Sequence, residues 1–154
     1  MILAHILNAI VIAFGFSVVG LLLNFPIRNM AFYNKLSHFN FVKGKKSNKY
    51  IGVLYFRQML ITSFWRHFNP KIKISEKPTH EELLTLRKEI IYAEISHLIA
   101  FVGVLVFTGI KYSSKHYSFT IALLVSNVLF HFYPALVQQY NKRRLDIVLA
   151  RIKR

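Results

Sequence analysis

An apolar run at the start of the chain limits the environments in which this protein can fold. Residues 2–23 are almost all aliphatic or aromatic, and His5, Asn8 and Ser17 are the polar interruptions. A helix of this length reaches roughly 33 Å, which matches the hydrocarbon core of a bilayer. The run lacks the positively charged start and the small-residue cleavage site of a signal peptide. We therefore expect a retained transmembrane helix over 2–23 that ends near Pro26.

The charge balance also favours a membrane protein. The 154 residues are 54% hydrophobic and 18% charged, and they include 21 Lys and Arg against 6 Asp and Glu. Soluble domains are usually about one quarter charged, whereas basic loops against anionic headgroups are typical of membrane proteins. Because the positive charge lies between apolar runs and no nucleic-acid-binding motif is present, we expect no nucleic-acid partner. The chain has no Cys, which excludes a disulfide framework and thiolate metal sites.

Two further spans are predicted downstream. Residues 90–110 form the apolar part of a helix over 79–110, which begins with the capping-box pattern of Thr79 and Glu82. Residues 117–137 form the third span, again long enough to cross a bilayer.

The segments outside the spans are basic or amphipathic. A connector over 26–50 leads into residues 50–68, which are too short and too polar to span. We expect an interfacial or re-entrant helix there, with Tyr55, Phe64 and Trp65 in the headgroup region. The remaining predicted segments are a loop at 69–78, a turn at 111–116 and a basic C-terminal helix at 138–154.

The distribution of basic residues predicts the orientation. Residues 26–88 hold 13 Lys and Arg and residues 138–154 hold 6, whereas 111–116 holds two. By the positive-inside rule the N-terminus lies outside and both basic regions are cytoplasmic. A fourth span at 51–67 would separate the two basic regions. The predicted fold class is therefore an all-α membrane protein, one integral domain over 1–154, with about three transmembrane helices.

The third span carries a stripe of polar side chains. At 100° per residue, four of them fall within roughly 80° of one another. They are Asn127, His131, Gln138 and Asn141. Pro134 adds an unpaired backbone carbonyl to the same face. Because polar groups at membrane depth need partners, the stripe indicates a substrate site or wet cavity, or, alternatively, hydrogen bonds to neighbouring helices.

A carboxylate and an imidazole open the second span. Glu94 and His97 are spaced i, i+3 on one helix face. His97 is therefore a candidate general base and Glu94 its orienting partner, with a purely structural pair as the alternative. The same spacing is half of a di-iron site. None of the other acids precedes a His by three residues, so we predict no metal site.

The tail contains the basic cluster Lys142-Arg143-Arg144. Topology and headgroup contacts would explain such a cluster. A sharper interpretation gives Arg144, with Lys142 and Arg143, an anionic ligand group, because a guanidinium binds phosphate or carboxylate bidentately.

Two blocks of the sequence resemble a known family. The tail Gln138-Gln-Tyr140-Asn141-Lys-Arg-Arg144-Leu145 resembles the Gln-Arg-Tyr-Asn-Arg-x-Arg-Leu signature of the glycosyl-4,4′-diaponeurosporenoate acyltransferases. The block Glu89-x4-Glu94-x2-His97 is similar to their Glu-Thr-x-Arg-Ala-Glu-x-x-His-Trp stretch. The chain departs from the family pattern at a few positions, which are Leu98, His131 (often Asn in relatives), Gln139 and Lys142.

This resemblance implies a small bacterial cell-membrane enzyme of carotenoid synthesis. It would move a fatty acyl chain from a thioester, acyl-CoA or acyl carrier protein, to a sugar hydroxyl of a glycosylated carotenoid-like lipid, with no bound cofactor. His97 and Glu94 would be catalytic. The residues expected to bind substrate are Glu89, Asn127, His131, Gln138, Tyr140, Asn141 and Arg144. A non-catalytic membrane subunit and a membrane redox or quinone protein are the other two hypotheses.

Overall fold

The computed structural model of the chain describes residues 2–42, 44–63 and 78–152, and its regular structure within them is helical. Three of the helices are long and apolar enough to cross a membrane. The prediction of an all-α membrane protein with three such helices is therefore confirmed.

Helix α1 (Ile2–Ile27) is the first of these three. It includes Pro26 in its last turn, so it continues slightly past the predicted end. Its buried residues all have small side chains, and they are Ala9, Ala13, Gly20 and Asn24. Their spacing of four, seven and four places them on one stripe of the helix. The large apolar side chains of α1 are mostly exposed, as expected for a helix surrounded by lipid.

Three short helices follow, and they occupy the predicted basic connector and interfacial segment. They are α2 (Ala31–Ser37), α3 (Lys45–Tyr50) and α4 (Val53–Thr62). The turn between α3 and α4 passes through Gly52, whose φ of 80° is left-handed and favours glycine. Helix α4 covers part of the predicted interfacial helix and exposes Tyr55. Phe64, Trp65 and the predicted loop at 69–78, apart from its last residue, lie outside the described residues.

Helix α5 (His80–Ser113) is a single 34-residue element. The predicted capping box is confirmed, because the Thr79 N–H donates to Glu82 Oε2 at 3.0 Å and the Glu82 N–H donates to Thr79 Oγ1 at 3.2 Å. The predicted turn at 111–116 is shorter in the structure, since α5 continues through Ser113.

The third long helix changes its hydrogen-bond pattern partway along. Helix α6 (Tyr117–Asn127) runs into a π-helical turn (Val128–Phe132), and α7 (Tyr133–Ile152) continues from it. The N–H of Tyr133 donates to the carbonyl of Val128, five residues earlier. Pro134 follows at once and has no N–H for the regular helical pattern, which explains why the widened turn lies here.

The chain divides into two compact units. The apolar unit comprises Met1–His38 and Tyr92–Ala135, and the basic unit comprises Phe39–Ile91 and Leu136–Arg154. Within the apolar unit, α1 packs against α6 through His5 and Phe119, and against the π turn through Phe14 and Phe130. Within the basic unit, the buried core joins α5 and α7 and consists of Leu83, Leu86, Ile90, Leu145 and Leu149.

Candidate functional site

Two histidines of the apolar unit lie close together. The ring centroids of His97 on α5 and His131 in the π turn are 6.2 Å apart, with the ring planes at 45°. The His131 side chain is fully buried. Among the described residues, no side chain pairs with its ring nitrogens, and the backbone of Ala13 lies close enough to interact with the ring by a hydrogen bond. A buried imidazole with so few polar contacts is a candidate for ligand binding or proton transfer.

His97 lies at the edge of a cavity of about 130 Å³. The other lining residues are Ser17, Leu21, Ala93 and Ser96. Both serine hydroxyls donate to carbonyls one turn earlier on their own helices, Ser17 to Ala13 and Ser96 to Tyr92. The cavity lining is therefore mostly apolar, and the His97 imidazole is the titratable group in it.

The predicted pairing of Glu94 with His97 is not present as a hydrogen bond. Both residues lie on α5, and Glu94 is 1% exposed and takes part in other interactions. Across the described part of the chain, no hydrogen bond joins the two side chains, and the neighbouring ring of His97 is that of His131. The described residues also contain no group of three or more His, Asp or Glu side chains placed to hold a metal ion.

Asn127 connects two long helices of the apolar unit. Its side chain is fully buried, and Nδ2 donates to the carbonyl of Phe101 on α5 at 3.0 Å. Oδ1 has no hydrogen-bond partner among the described residues. Asn127 therefore forms a hydrogen bond between helices, which is the alternative interpretation of the polar stripe. Its amide oxygen is a second polar atom without a partner in the described residues.

A second amide in the apolar unit was not identified as a site residue from the sequence. Asn24 on α1 is fully buried, and its Nδ2 donates to the Tyr92 carbonyl at 2.8 Å and to Ser96 Oγ at 2.9 Å. The Tyr33 hydroxyl is buried in the same unit and lies within hydrogen-bonding reach of the Asn24 side chain. The signal available in the sequence was an isolated amide within an apolar helix, which we interpreted only as the end of the span.

The predicted binding residues of the tail belong to the basic unit. Gln138, Tyr140 and Asn141 are half-buried, whereas Glu89 on α5 is exposed. Arg144 is exposed, and its guanidinium lies 5.8 Å from the centroid of the Tyr140 ring. The predicted residues thus separate into two groups, and Glu94, His97, Asn127 and His131 form the group in the apolar unit.

Neighbouring residues of α7 hold the segment 39–42 of the basic unit. The Phe41 N–H donates to Gln139 Oε1 at 2.9 Å, and the Lys142 ammonium donates to the Phe39 carbonyl at 3.1 Å. The Arg143 guanidinium donates to the Val42 carbonyl. Gln139 and Lys142 are 2% and 0% exposed. Two of the three cations considered for an anionic ligand therefore bind backbone carbonyls.

The π turn explains why the predicted polar stripe does not continue into α7. A π turn holds more residues than an α turn, so a uniform 100° per residue does not apply across Val128–Phe132. Beyond it, the buried polar side chains are Gln139 and Lys142, whereas Gln138 and Asn141 are half-buried. Buried Gln139 directly follows the predicted Gln138, and buried Lys142 directly follows the predicted Asn141.

Comparison with known proteins identifies a family. The model of the family described as glycosyl-4,4′-diaponeurosporenoate acyltransferase matches residues 29–151, which is most of the chain. The match includes His97, His131 and the tail block of α7. No curated protein and no solved structure matches the chain. This chain of three potential membrane-spanning helices belongs to the glycosyl-4,4′-diaponeurosporenoate acyltransferase family.

Proposed function

We propose that the protein is a membrane-embedded O-acyltransferase that moves a fatty acyl chain from a thioester donor to a sugar hydroxyl of a glycosylated carotenoid-like lipid. The observation that carries the proposal is the family match over residues 29–151, which includes the cavity histidine His97. The apolar helices fit a substrate that enters from the bilayer. The donor, acyl-CoA or acyl carrier protein, is a co-substrate, and the reaction needs no bound cofactor.

The reaction needs a base for the attacking hydroxyl. The hydroxyl oxygen forms a C–O bond to the thioester carbonyl carbon, and the C–S bond then breaks. His97 takes the hydroxyl proton during the attack and returns it to the departing thiolate, so the products are an ester and a thiol. His97 is suited to this role because its imidazole lines the cavity.

Glu94 and His131 support His97 in this proposal. Glu94 is a buried carboxylate one turn before His97, and its charge favours the imidazolium that forms during the transfer. His131 is the neighbouring ring, and in this proposal its ring N–H donates to the developing oxyanion. The Asn127 amide oxygen, which has no partner among the described residues, accepts a hydrogen bond from a sugar hydroxyl.

The tail residues are assigned to substrate binding in the basic unit. Arg144 is exposed and would hold the anionic end of the acyl donor, for which a guanidinium is well suited. The remaining residues assigned to polar substrate groups are Glu89, Gln138, Tyr140 and Asn141. Lys142 and Arg143 are assigned to the 39–42 segment instead, because they donate hydrogen bonds to its carbonyls.

The proposal also includes the membrane in which the protein lies and the orientation of its termini. The family resemblance implies a bacterial cell membrane. The positive-inside rule favours an orientation with the N-terminus outside and the basic regions cytoplasmic. Fusion of a cytoplasm-dependent reporter to either terminus would test this orientation, with activity expected at the C-terminus.

A non-catalytic membrane subunit is the second candidate function. It is favoured by the bonds from Asn24 to Tyr92 and from Asn127 to Phe101, since buried amides that join helices also occur in purely structural bundles. Under this alternative, Asn127→Ala lowers the abundance of the folded protein but leaves the activity per folded molecule unchanged.

The deciding experiment compares His97→Ala with His116→Ala. His116 is an exposed histidine in the turn after α5, so it is a matched control. Each variant is expressed at equal abundance in cells that make the glycosylated carotenoid, and lipids are analysed by mass spectrometry. We expect the native chain and His116→Ala to add one acyl chain to the acceptor, and His97→Ala to lose about 100-fold or more of the rate. Equal acylation by both variants would remove His97 as the base.

A further inference from the structure

The cavity beside His97 is formed by two helices of the apolar unit. Its lining residues are Ser17 and Leu21 of α1 and Ala93, Ser96 and His97 of α5. The hydroxyls of Ser17 and Ser96 donate to carbonyls of their own helices, and Ser96 Oγ also accepts from Asn24. The polar group that the lining offers to a ligand is therefore the His97 imidazole. A space with such walls holds an apolar group better than a sugar, whose hydroxyls would lose their hydration there.

Hydrogen bonds and close packing fix the distance between the two walls of the cavity. The Tyr92 hydroxyl donates to the Leu21 carbonyl at 3.0 Å. The Asn24 amide donates to the Tyr92 carbonyl at 2.8 Å and to Ser96 Oγ at 2.9 Å. Gly20 brings the backbones so close that an added Cβ would overlap the Ser96 carbonyl oxygen. Because the walls cannot easily adapt, the cavity selects its ligands by shape.

The size of the cavity suits a short apolar group. Its volume is about 130 Å³. An engineered apolar cavity of about 150 Å³ in another protein binds benzene, so roughly six carbon atoms fit a space of this size. A complete fatty acyl chain is longer and would lie only partly inside. Leu21 is 46% exposed, so this wall reaches the lipid-facing surface of α1 and the rest of a chain can continue past it into the bilayer.

The position of His97 indicates which substrate the cavity receives. In the proposed reaction, the imidazole lies beside the attacking hydroxyl and the thioester carbonyl carbon. The attacking hydroxyl belongs to a sugar, so the atoms next to it are polar and the apolar part of the acceptor is farther away. The thioester carbonyl carbon is joined directly to the methylene groups of the acyl chain. An apolar space immediately beside the base therefore fits the donor chain better than the acceptor.

We propose that the cavity binds the first carbons of the acyl chain, next to the thioester carbonyl, and that Ala93 and Leu21 determine which acyl chains fit. Ala93 lies one turn before His97, and its small side chain leaves the space that the methylene groups fill. Leu21 limits the same space from α1. This proposal rests on the acyl transfer proposed above and adds the part of the donor that the site selects.

Ala93→Leu tests the proposal by filling the cavity. Ala4→Leu makes the same change at an exposed position of α1 and is the matched control. The full chain in proteoliposomes is assayed with glycosyl-4,4′-diaponeurosporenoate as acceptor and with hexadecanoyl and acetyl thioesters as donors. We expect Ala93→Leu to lower kcat/KM for hexadecanoyl transfer about 10-fold or more, because small size changes in an apolar pocket have effects of this order. Acetyl transfer and the acceptor KM should stay at the native values, and Ala4→Leu should change neither donor's transfer.

Two results of this kinetic comparison would overturn the proposal. Equal losses with both donors would mean that Ala93→Leu disturbs His97 itself rather than a site for the acyl chain. A raised acceptor KM with unchanged hexadecanoyl transfer would mean that the apolar part of the acceptor occupies the cavity.

A crosslinking measurement separates this proposal from the acyl transfer itself. The probe is a hexadecyl-chain ketone of phosphopantetheine, the arm that acyl-CoA and acyl carrier protein share. A methylene group between its carbonyl carbon and its sulfur prevents transfer of the chain. A photoreactive diazirine is placed either near the carbonyl or near the far end of the chain. We expect the near-carbonyl probe to label the cavity residues of the native chain and of Ala4→Leu, and excess ketone without diazirine to prevent this labelling. The far-end probe and the Ala93→Leu variant should give little label there.

The outcomes distinguish the chain site from the reaction. If the near-carbonyl probe does not label the cavity residues of the native chain, the chain site is wrong, even where acyl transfer is found. Competed labelling of these residues without acyl transfer would support the chain site and count against the proposed function.

Discussion

The apolar unit and the basic unit satisfy their buried polar groups in opposite ways. The basic unit contains 17 of the 21 Lys and Arg residues, and the apolar unit contains four. In the apolar unit, short amides such as Asn24 and Asn127 donate to backbone carbonyls of another helix. In the basic unit, the longer side chains of Lys142 and Arg143 reach the carbonyls of the 39–42 segment.

This difference follows from the distance that each side chain must bridge. Helix α1 presents small residues to its neighbours, and at Gly20 an added Cβ would lie 2.4 Å from the Ser96 carbonyl oxygen. At such a separation an amide reaches the next backbone, so these helix contacts need no charged side chain. The 39–42 segment contains no regular helix and leaves carbonyls that its own backbone does not pair, so it is held by donors from α7. Some positively charged side chains of this chain therefore also form internal hydrogen bonds that hold a segment in place.

The largest expected effect is on the close helix approach in the apolar unit. Gly20→Ala places a methyl group against the Ser96 backbone, and we expect destabilisation of about 1–3 kcal/mol. Gly15→Ala, on the same helix, is the control, because no atom lies within 4 Å of the position that its new methyl group would take. Thermal unfolding of the two variants in detergent measures the difference. If the two variants unfold at the same temperature, close packing does not set the stability of the apolar unit.

A smaller effect is expected from a buried cation of the basic unit. Lys142→Met keeps the length of the side chain but leaves the Phe39 carbonyl without this donor, and we expect a loss of about 1 kcal/mol. Amide hydrogen exchange should also increase within residues 39–42. Arg144→Met, on the exposed side of α7, should change the unfolding free energy by about 0.5 kcal/mol or less. Unchanged exchange in Lys142→Met would show that this residue does not hold the segment.

The smallest effect is expected at the ion pair between Arg87 and Asp146 in the basic unit. The two side chains are 20% and 41% exposed, so water and salt screen the attraction. A double-mutant cycle with Arg87→Ala and Asp146→Ala should give a coupling of about 1 kcal/mol or less that falls in 1 M salt. A coupling energy that persists in high salt would mean that water and salt do not screen this ion pair. Ion pairs, as well as cation–carbonyl bonds, would then hold the basic unit together.

The fold was predictable wherever it depends on one strong local pattern. The apolar runs predicted three helices long enough to cross a membrane, and the structure has them. Thr79 and Glu82 predicted the start of α5 through a pattern that involves only a few adjacent residues. Such features need no knowledge of the rest of the chain, because their hydrogen bonds and burial are local.

The site was less predictable because it depends on contacts distant in sequence. The helical wheel identified Asn127 and His131 as buried, but it selected Gln138 and Asn141 where the structure buries Gln139. A wheel assumes one constant angle per residue and cannot include a π turn.

The contact partners of individual side chains also could not be predicted from residue spacing in the sequence. The i, i+3 relation suggested a bond between Glu94 and His97, whereas the ring of His97 has His131 as its neighbour. The hydrogen bonds from Asn24 to Tyr92 and Ser96 join residues 68 and 72 positions apart, so no local pattern predicted them.

The π turn at Val128–Phe132 also affects how this chain should be aligned with others. A helix with a π turn contains one more residue than an unbroken α-helix of the same number of turns. A relative without the widened turn would therefore align correctly only with a one-residue gap inside Val128–Phe132. Without that gap, every position of α7 would be matched to the wrong neighbour, and Gln139 would be mistaken for Gln138. Substitutions in the tail motif are best interpreted after the turn type of each relative is known.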